Sequence, residues 1–166
     1  MNHESIKNME TNTYSDIQAK GMRFGIARAR FNEDITGNML ASCLKTLKQA
    51  GVDEDMIHVV EVPGVVEIPY VLAEMAERGP YDALITIGAV IKGATPHFDY
   101  ISKTVIDGMR DIAVGYKIPV IAGVITTLNR EQAVERSSDG PLNRGVEAAH
   151  VALEMAQLRR SRGWGE

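Results

Sequence analysis

Four short apolar runs constrain this chain most: Phe24 to Ala27, Ile57 to Val62, Ala83 to Ile91 and Val120 to Ile125, each rich in Val and Ile. They are continuous where a half-buried strand would alternate, which is the pattern of a strand covered on both faces. Between them lie segments of helical period. Ile35, Met39, Leu40, Cys43, Leu44 and Leu47 fall on one helix face, and Ile68, Val71, Leu72 and Met75 on another. A third face carries Ile101, Val105, Ile106, Met109, Ile112 and Ala113, and a fourth carries Val146, Ala149, Leu153 and Ala156. Strands that alternate with helices require parallel pairing with crossover helices on both sides. The expectation is an α/β chain: a three-layer α/β/α sandwich around a four-stranded parallel sheet.

The 166 residues suit one domain that buries its own core. Residues 1–20 read as an N-terminal tail, 21–160 as a single α/β domain and 161–166 as a C-terminal tail, in which Trp164 is expected at the surface or at a subunit contact. The opening twenty residues scatter Met1, Ile6, Met9, Tyr14, Ile17 and Ala19 without an apolar run, so neither a secretory signal nor a membrane span is expected there. A cytoplasmic location follows by default. With 18 Lys and Arg against 22 Asp and Glu, the net charge of -4 and the absence of long like-charge blocks argue against nucleic acid as a partner. Cys43 is the only cysteine, which rules out an intrachain disulfide, and its helical apolar surroundings place it in the core.

In an open parallel sheet, ligands bind beyond the carboxyl ends of the strands. The first run leads into Ala29-Arg30-Phe31-Asn32-Glu33, which puts a ring and an amide at that edge, although a hydrophobic residue before a helix cap would read the same way. The second leads into Val62-Pro63-Gly64-Val65-Val66-Glu67-Ile68-Pro69, where a glycine between prolines can bring bare backbone to a planar heterocycle or can simply turn the chain. The third leads into Lys92-Gly93-Ala94-Thr95-Pro96-His97-Phe98-Asp99-Tyr100. There a hydroxyl and the free N–H groups of a helix start can hold an anion, for which phosphate is the natural guest. His97 stands beside it, an imidazole being the side chain best suited to proton transfer near neutrality. After the fourth run, a short helix presents Arg136, a bidentate partner for phosphate or a plain surface residue.

Two patterns are missing. No Walker loop or dinucleotide fingerprint follows the first strand, where Arg30-Phe31-Asn32 stands instead. His3, His58, His97 and His150 lie far apart without metal-ligand spacing, so no metal is expected.

At these same segments the chain resembles the 6,7-dimethyl-8-ribityllumazine synthase family over about residues 22 to 160. The likeness rests on Ala29 to Glu33, Pro63-Gly64 with Glu67-Ile68-Pro69, Gly88 to Tyr100, Gly123-Val124 with Thr126-Thr127, Glu131-Gln132-Ala133 with Glu135-Arg136, and Asn143-Arg144-Gly145. Gly93 to Tyr100 is the specific part. The resemblance implies a flavodoxin-like fold and a transferase of riboflavin biosynthesis, working without a cofactor. Its substrates would be 5-amino-6-(D-ribitylamino)uracil and 3,4-dihydroxy-2-butanone 4-phosphate. By likeness, Phe31 stacks on the pyrimidine. Asn32, Val65, Val66, Glu67, Val90, Ile91 and Ala122 surround the ring and ribityl chain, Ala94, Thr95 and Arg136 hold phosphate, and His97 moves protons. The family also implies a homo-oligomer built from pentamers, with Arg136 reaching into a neighbour's site and riboflavin synthase as the pathway partner.

The chain departs from the family pattern at three places. Val66 and Ala122 stand where relatives often carry aromatic residues, which implies a roomier ring pocket. Ser138-Asp139-Gly140-Pro141-Leu142 replaces a Gly-Thr-Lys-Ala-Gly loop associated with sixty-subunit shells, so a free pentamer or a pair of pentamers is expected. A flavin or lumazine carrier, a riboflavin synthase of the archaeal type and a flavodoxin-like interaction module are the competing readings. His97 and Arg136 together with an anion nest weigh against a mere binder.

Overall fold

The computed structural model describes residues 17–165, so Met1, His3, Ile6, Met9 and Tyr14 lie outside the described residues. Strands β1 (Phe24–Ala29), β2 (Ile57–Val62) and β3 (Ala83–Ile91) pair in parallel, with β1 between the other two. Two short strands, β4 (Val120–Ile121) and β5 (Val124–Thr127), pair in parallel with successive stretches of β3. The helices are α1 (Glu33–Gln49), α2 (Ile68–Arg78), α3 (His97–Tyr116), the short α4 (Arg130–Glu135) and α5 (Arg144–Ser161). The lateral order β2-β1-β3-β4 is that of a doubly wound sheet, and the expected three layers form.

Each face of the sheet has its own core. Phe24, Ile26, Ile85 and Ile87 point toward α1 and α5, where they meet Ile35, Met39, Leu47 and Leu153. Ala27, Ala29 and Leu84 point the other way, toward Ile68, Leu72, Val105 and Met109 of α2 and α3. This is the period of two that a strand imposes on its side chains, here apolar in both directions. The first layer reaches back before β1, since Ile17 and Ala19 are buried in it. Cys43 is buried there too, and burial pushes its thiol up to about 12.

Three sequence expectations need correction. β2 is not covered on both faces: it is an edge strand whose residues His58 to Glu61 are exposed. An apolar run records a preference for cover, and this chain alone does not supply it. Ile106 is exposed because its neighbours Val105 and Met109 hold the buried stripe of α3. The fourth strand, expected as one piece from Val120 to Ile125, is two. The Thr86 hydroxyl donates to the Ile121 carbonyl (2.8 Å) and accepts from the Gly123 N–H (3.0 Å), inserting a side chain into the ladder. A Cβ at Gly123 would lie 2.0 Å from the Thr86 carbonyl oxygen, so only glycine fits this break.

Helix α5 is placed by Asn143. Its side-chain oxygen accepts from the N–H groups of Gly145 (2.9 Å) and Val146 (3.2 Å), an N-cap in the usual sense. Its amide nitrogen donates to the carbonyls of Ser137 and Ser138 and to the Ser42 hydroxyl, which pins the 137–142 connection against α1. Gly145 then lets α5 cross α1 closely, since a Cβ there would meet the Met39 carbonyl at 2.0 Å. Trp164, beyond α5, is exposed.

Candidate active site

The chain runs from β1 outward to β2 and then returns to β3 on the other side of β1, so a crevice opens where these strands end. The β1 to β2 ladder continues past the strands, with Arg30 N–H donating to the Val62 carbonyl (2.8 Å) and Phe31 N–H to the Pro63 carbonyl (3.1 Å). The next residue, Asn32, takes the left-handed conformation at φ 61°, one of the few non-glycine types that adopts it readily. Its carbonyl accepts from the N–H groups of Ile35 and Thr36 to start α1, and its side-chain amide donates to the Ala89 carbonyl of β3 (3.3 Å). One residue thus turns the chain, caps a helix and bridges the crevice. Phe31 is left 72% exposed.

A cavity of about 320 Å³ occupies this crevice. Phe31 and Asn32 line it from the first turn, Gly64, Val65 and Val66 from the second, and Ala89, Val90 and Ile91 from β3. Gly93, Thr95, His97, Phe98 and Ile101 complete it. The second turn is held by Glu67, whose carboxylate accepts from the Gly64 N–H (2.9 Å). Glu67 therefore shapes the wall through this bond and does not itself line the cavity. The third turn delivers the start of α3: Pro96 is its N-cap and His97 its first residue. Thr95 and the helix N-terminus, with its partial positive charge, face the same space as the exposed imidazole of His97. Ala94, between Gly93 and Thr95, is exposed beside the cavity without lining it.

Arg136 and Ala122 lie elsewhere. A second cavity of about 380 Å³ sits against α5, lined by β4 and β5 residues with Ala122, Arg136, Arg144 and Glu147, and shares no lining residue with the first. Arg136 follows α4, where its guanidinium donates to the Gln132 carbonyl (3.3 Å) and stands 3.8 Å from the Glu135 carboxylate. Its own carbonyl accepts from the Arg144 N–H (2.9 Å), so the two arginines are tied together. Arg144 also pairs with Glu147.

Of the residues singled out in the sequence, Phe31, Asn32, Val65, Val66, Val90, Ile91, Thr95 and His97 share the first cavity. Ala122 and Arg136 share the second. Three first-cavity residues have no site role assigned from the sequence: Ala89 and Phe98, which lie inside the Gly88 to Tyr100 stretch, and Ile101. Ile101 is one helical turn after His97, a spacing that puts both on one face of α3. Ala89 carries no chemistry to notice. Among the described residues no cluster of three His, Cys, Asp or Glu is placed to hold a metal, and no helix is long and apolar enough to cross a membrane.

The family model for 6,7-dimethyl-8-ribityllumazine synthase matches residues 21–160. The chain belongs to this family. A curated relative from Clostridium kluyveri, named 6,7-dimethyl-8-ribityllumazine synthase, is 46% identical over 144 residues, which cover 87% of this chain and 94% of the relative. The span matched to the lumazine synthase family contains both cavities and every element of the sheet.

Proposed function

We propose that this chain makes 6,7-dimethyl-8-ribityllumazine between two copies of itself, one supplying the Phe31 to His97 cavity and the other the Arg136 cavity. The chain is a transferase of riboflavin biosynthesis, the step that produces dimethylribityllumazine. Its substrates on this reading are 5-amino-6-(D-ribitylamino)uracil and 3,4-dihydroxy-2-butanone 4-phosphate. One observation carries the assignment of roles: a single cavity holds an exposed ring, a helix start with a threonine, and a histidine.

The reaction needs a flat surface, an anion site and a way to move protons. Phe31 offers its face to the pyrimidine, where offset stacking contributes about 1 kcal/mol beyond area burial. Backbone at Val65, Val66 and Glu67 and at Val90 and Ile91 reads the ring edge and the ribityl chain. Thr95, Ala94 and the N-terminus of α3 receive the phosphate. Attack of the 5-amino group on the ketone gives an imine and releases water. Elimination then releases phosphate, and after tautomerisation the ribityl-bearing nitrogen closes the ring with loss of a second water. His97 relays the protons these steps exchange, a contribution on the order of 100-fold. Holding two substrates in contact contributes more, because it removes the entropic cost of their encounter.

The position of Arg136 supports the reading of a second copy. A phosphate held at Thr95 lacks a guanidinium within its own cavity, and the chain's own Arg136 faces another one. Exposed Val59 and Val60 on the β2 edge, and Leu128 and Val134 beside β5 and α4, are apolar surfaces of the kind a subunit contact covers. They support the family's pentameric assembly. A cytoplasmic location, and handover of product to riboflavin synthase, belong to the same reading.

Mixing the protein with the aminopyrimidine and the butanone phosphate, while following phosphate release and lumazine fluorescence, tests the assignment. Turnover well above the uncatalysed condensation is expected. A rate equal to the uncatalysed one contradicts it.

A further inference from the structure

Arg28 is a charged residue inside β1 with its side chain only 5% exposed, on the face that otherwise buries Phe24 and Ile26. An apolar side chain of similar volume would avoid the cost of desolvating a guanidinium, so burial of this charge is not accounted for by stability. Its bonds show what it holds. Nε donates to the Thr36 hydroxyl (3.2 Å) and one terminal nitrogen to the Glu33 carbonyl (3.2 Å), both in the first turn of α1. The other terminal nitrogen donates to the Glu61 carboxylate (2.6 Å), its register partner on β2.

These three attachments flank two of the turns that line the first cavity, turns that the Phe31 N–H also joins at the Pro63 carbonyl. Glu33 and Thr36 follow Phe31 and Asn32 directly, and Glu61 precedes the turn that carries Val65 and Val66. We infer that Arg28 is a positioning residue for the pyrimidine half of the site, setting the separation between Phe31 and the Val66 turn without touching substrate. This rests on the reading of Phe31 as the ring platform. A planar guanidinium with donors in a fixed fork can bridge a helix start and a neighbouring strand at once, which a lysine ammonium cannot.

The full-length protein carrying Arg28→Met, Arg28→Lys, Thr36→Val or Glu61→Gln decides the matter, with Phe31→Ala as reference. Titration of the aminopyrimidine alone should show affinity about tenfold weaker for Arg28→Met and about threefold weaker for Arg28→Lys and Thr36→Val, as small misplacements of a binding wall do. The KM for butanone phosphate should stay within about twofold and kcat at saturation within about threefold, since the α3 wall is untouched. A merely structural arginine would lower the melting temperature without separating the two substrates. Unchanged aminopyrimidine affinity in folded Arg28→Met, or equal losses for both substrates, overturns the inference. If Arg28→Met fails to fold, unchanged affinity in both Thr36→Val and Glu61→Gln overturns it instead. If Phe31→Ala binds the aminopyrimidine normally, the platform reading falls and this inference with it; if Phe31→Ala is weakened and Arg28→Met is not, only this inference falls.

Discussion

The cavity at the ends of β1 to β3 carries two phenyl rings, a hydroxyl and an imidazole but no arginine, whereas the cavity against α5 carries two arginines and a glutamate but no aromatic side chain. The first is built from turns that the strands hold rigidly: the ladder beyond β1, the Asn32 bridge to β3 and the Glu67 bond to Gly64. The second depends on a break in the fourth strand and on the cap at Asn143. On the proposed reading, a two-substrate condensation uses the contents of both. A sheet end can orient a flat molecule with backbone and one ring, while a small anion calls for a guanidinium that the same sheet end does not hold.

The largest expected effect separates the cavities through the fold. Gly123→Ala drives a Cβ into the Thr86 carbonyl and should cost about 3 kcal/mol, a melting temperature about 10 °C lower for a domain of this size. Aminopyrimidine binding by the surviving folded protein should persist, because the first cavity does not use β4 or β5; calorimetry and titration together check both halves. Next comes Arg136→Ala. Its kcat/KM for butanone phosphate should fall about 100-fold, the scale of a charge-assisted pair, with aminopyrimidine affinity nearly unchanged. Equal losses would make the arginine structural and remove the division of labour.

His97→Ala should lower kcat about 100-fold while leaving measurable turnover. A complete loss would mean that acid-base chemistry, and not placement, dominates. The smallest effect concerns α5. Burial lowers the pKa of His150, so the folded protein favours the neutral ring and binds fewer protons there than the unfolded chain. That contribution is present above the ordinary histidine pKa of about 6.5 and declines as pH falls through it. His150→Gln should therefore flatten the fall in melting temperature between about pH 7.5 and pH 5.5. An identical slope in both proteins removes His150 from the pH dependence.

Much of the fold is legible in the amino-acid sequence. The Val and Ile runs mark the strands, with β2 and β3 bounded as expected, because continuous apolar character has few other uses in an α/β chain. The residues after β1, β2 and β3 lead to the first cavity, and those after β5 to the second. What the sequence hides has a physical reason in each case. β1 runs on through Arg28 to Ala29, although a charged residue looks like a strand's end, because the arginine's length lets it reach polar partners on α1 and β2. The split at Ala122 and Gly123 depends on Thr86, a residue distant in sequence whose hydroxyl gives no local signal. Arg136 and Thr95 follow neighbouring strands of the sheet, yet they face different cavities, and spacing along one chain carries no information about a meeting between copies.

Complementation tests that meeting most directly. A variant without the first cavity's groups, Phe31→Ala with His97→Ala, is unfolded and refolded together with Arg136→Ala in equal amounts. If each site draws one cavity from each of two copies, about one quarter of the sites in the mixed assemblies are intact, and activity should rise toward that fraction of the unmutated enzyme's. Activity no greater than the sum of the two variants measured separately would contradict a site shared between subunits.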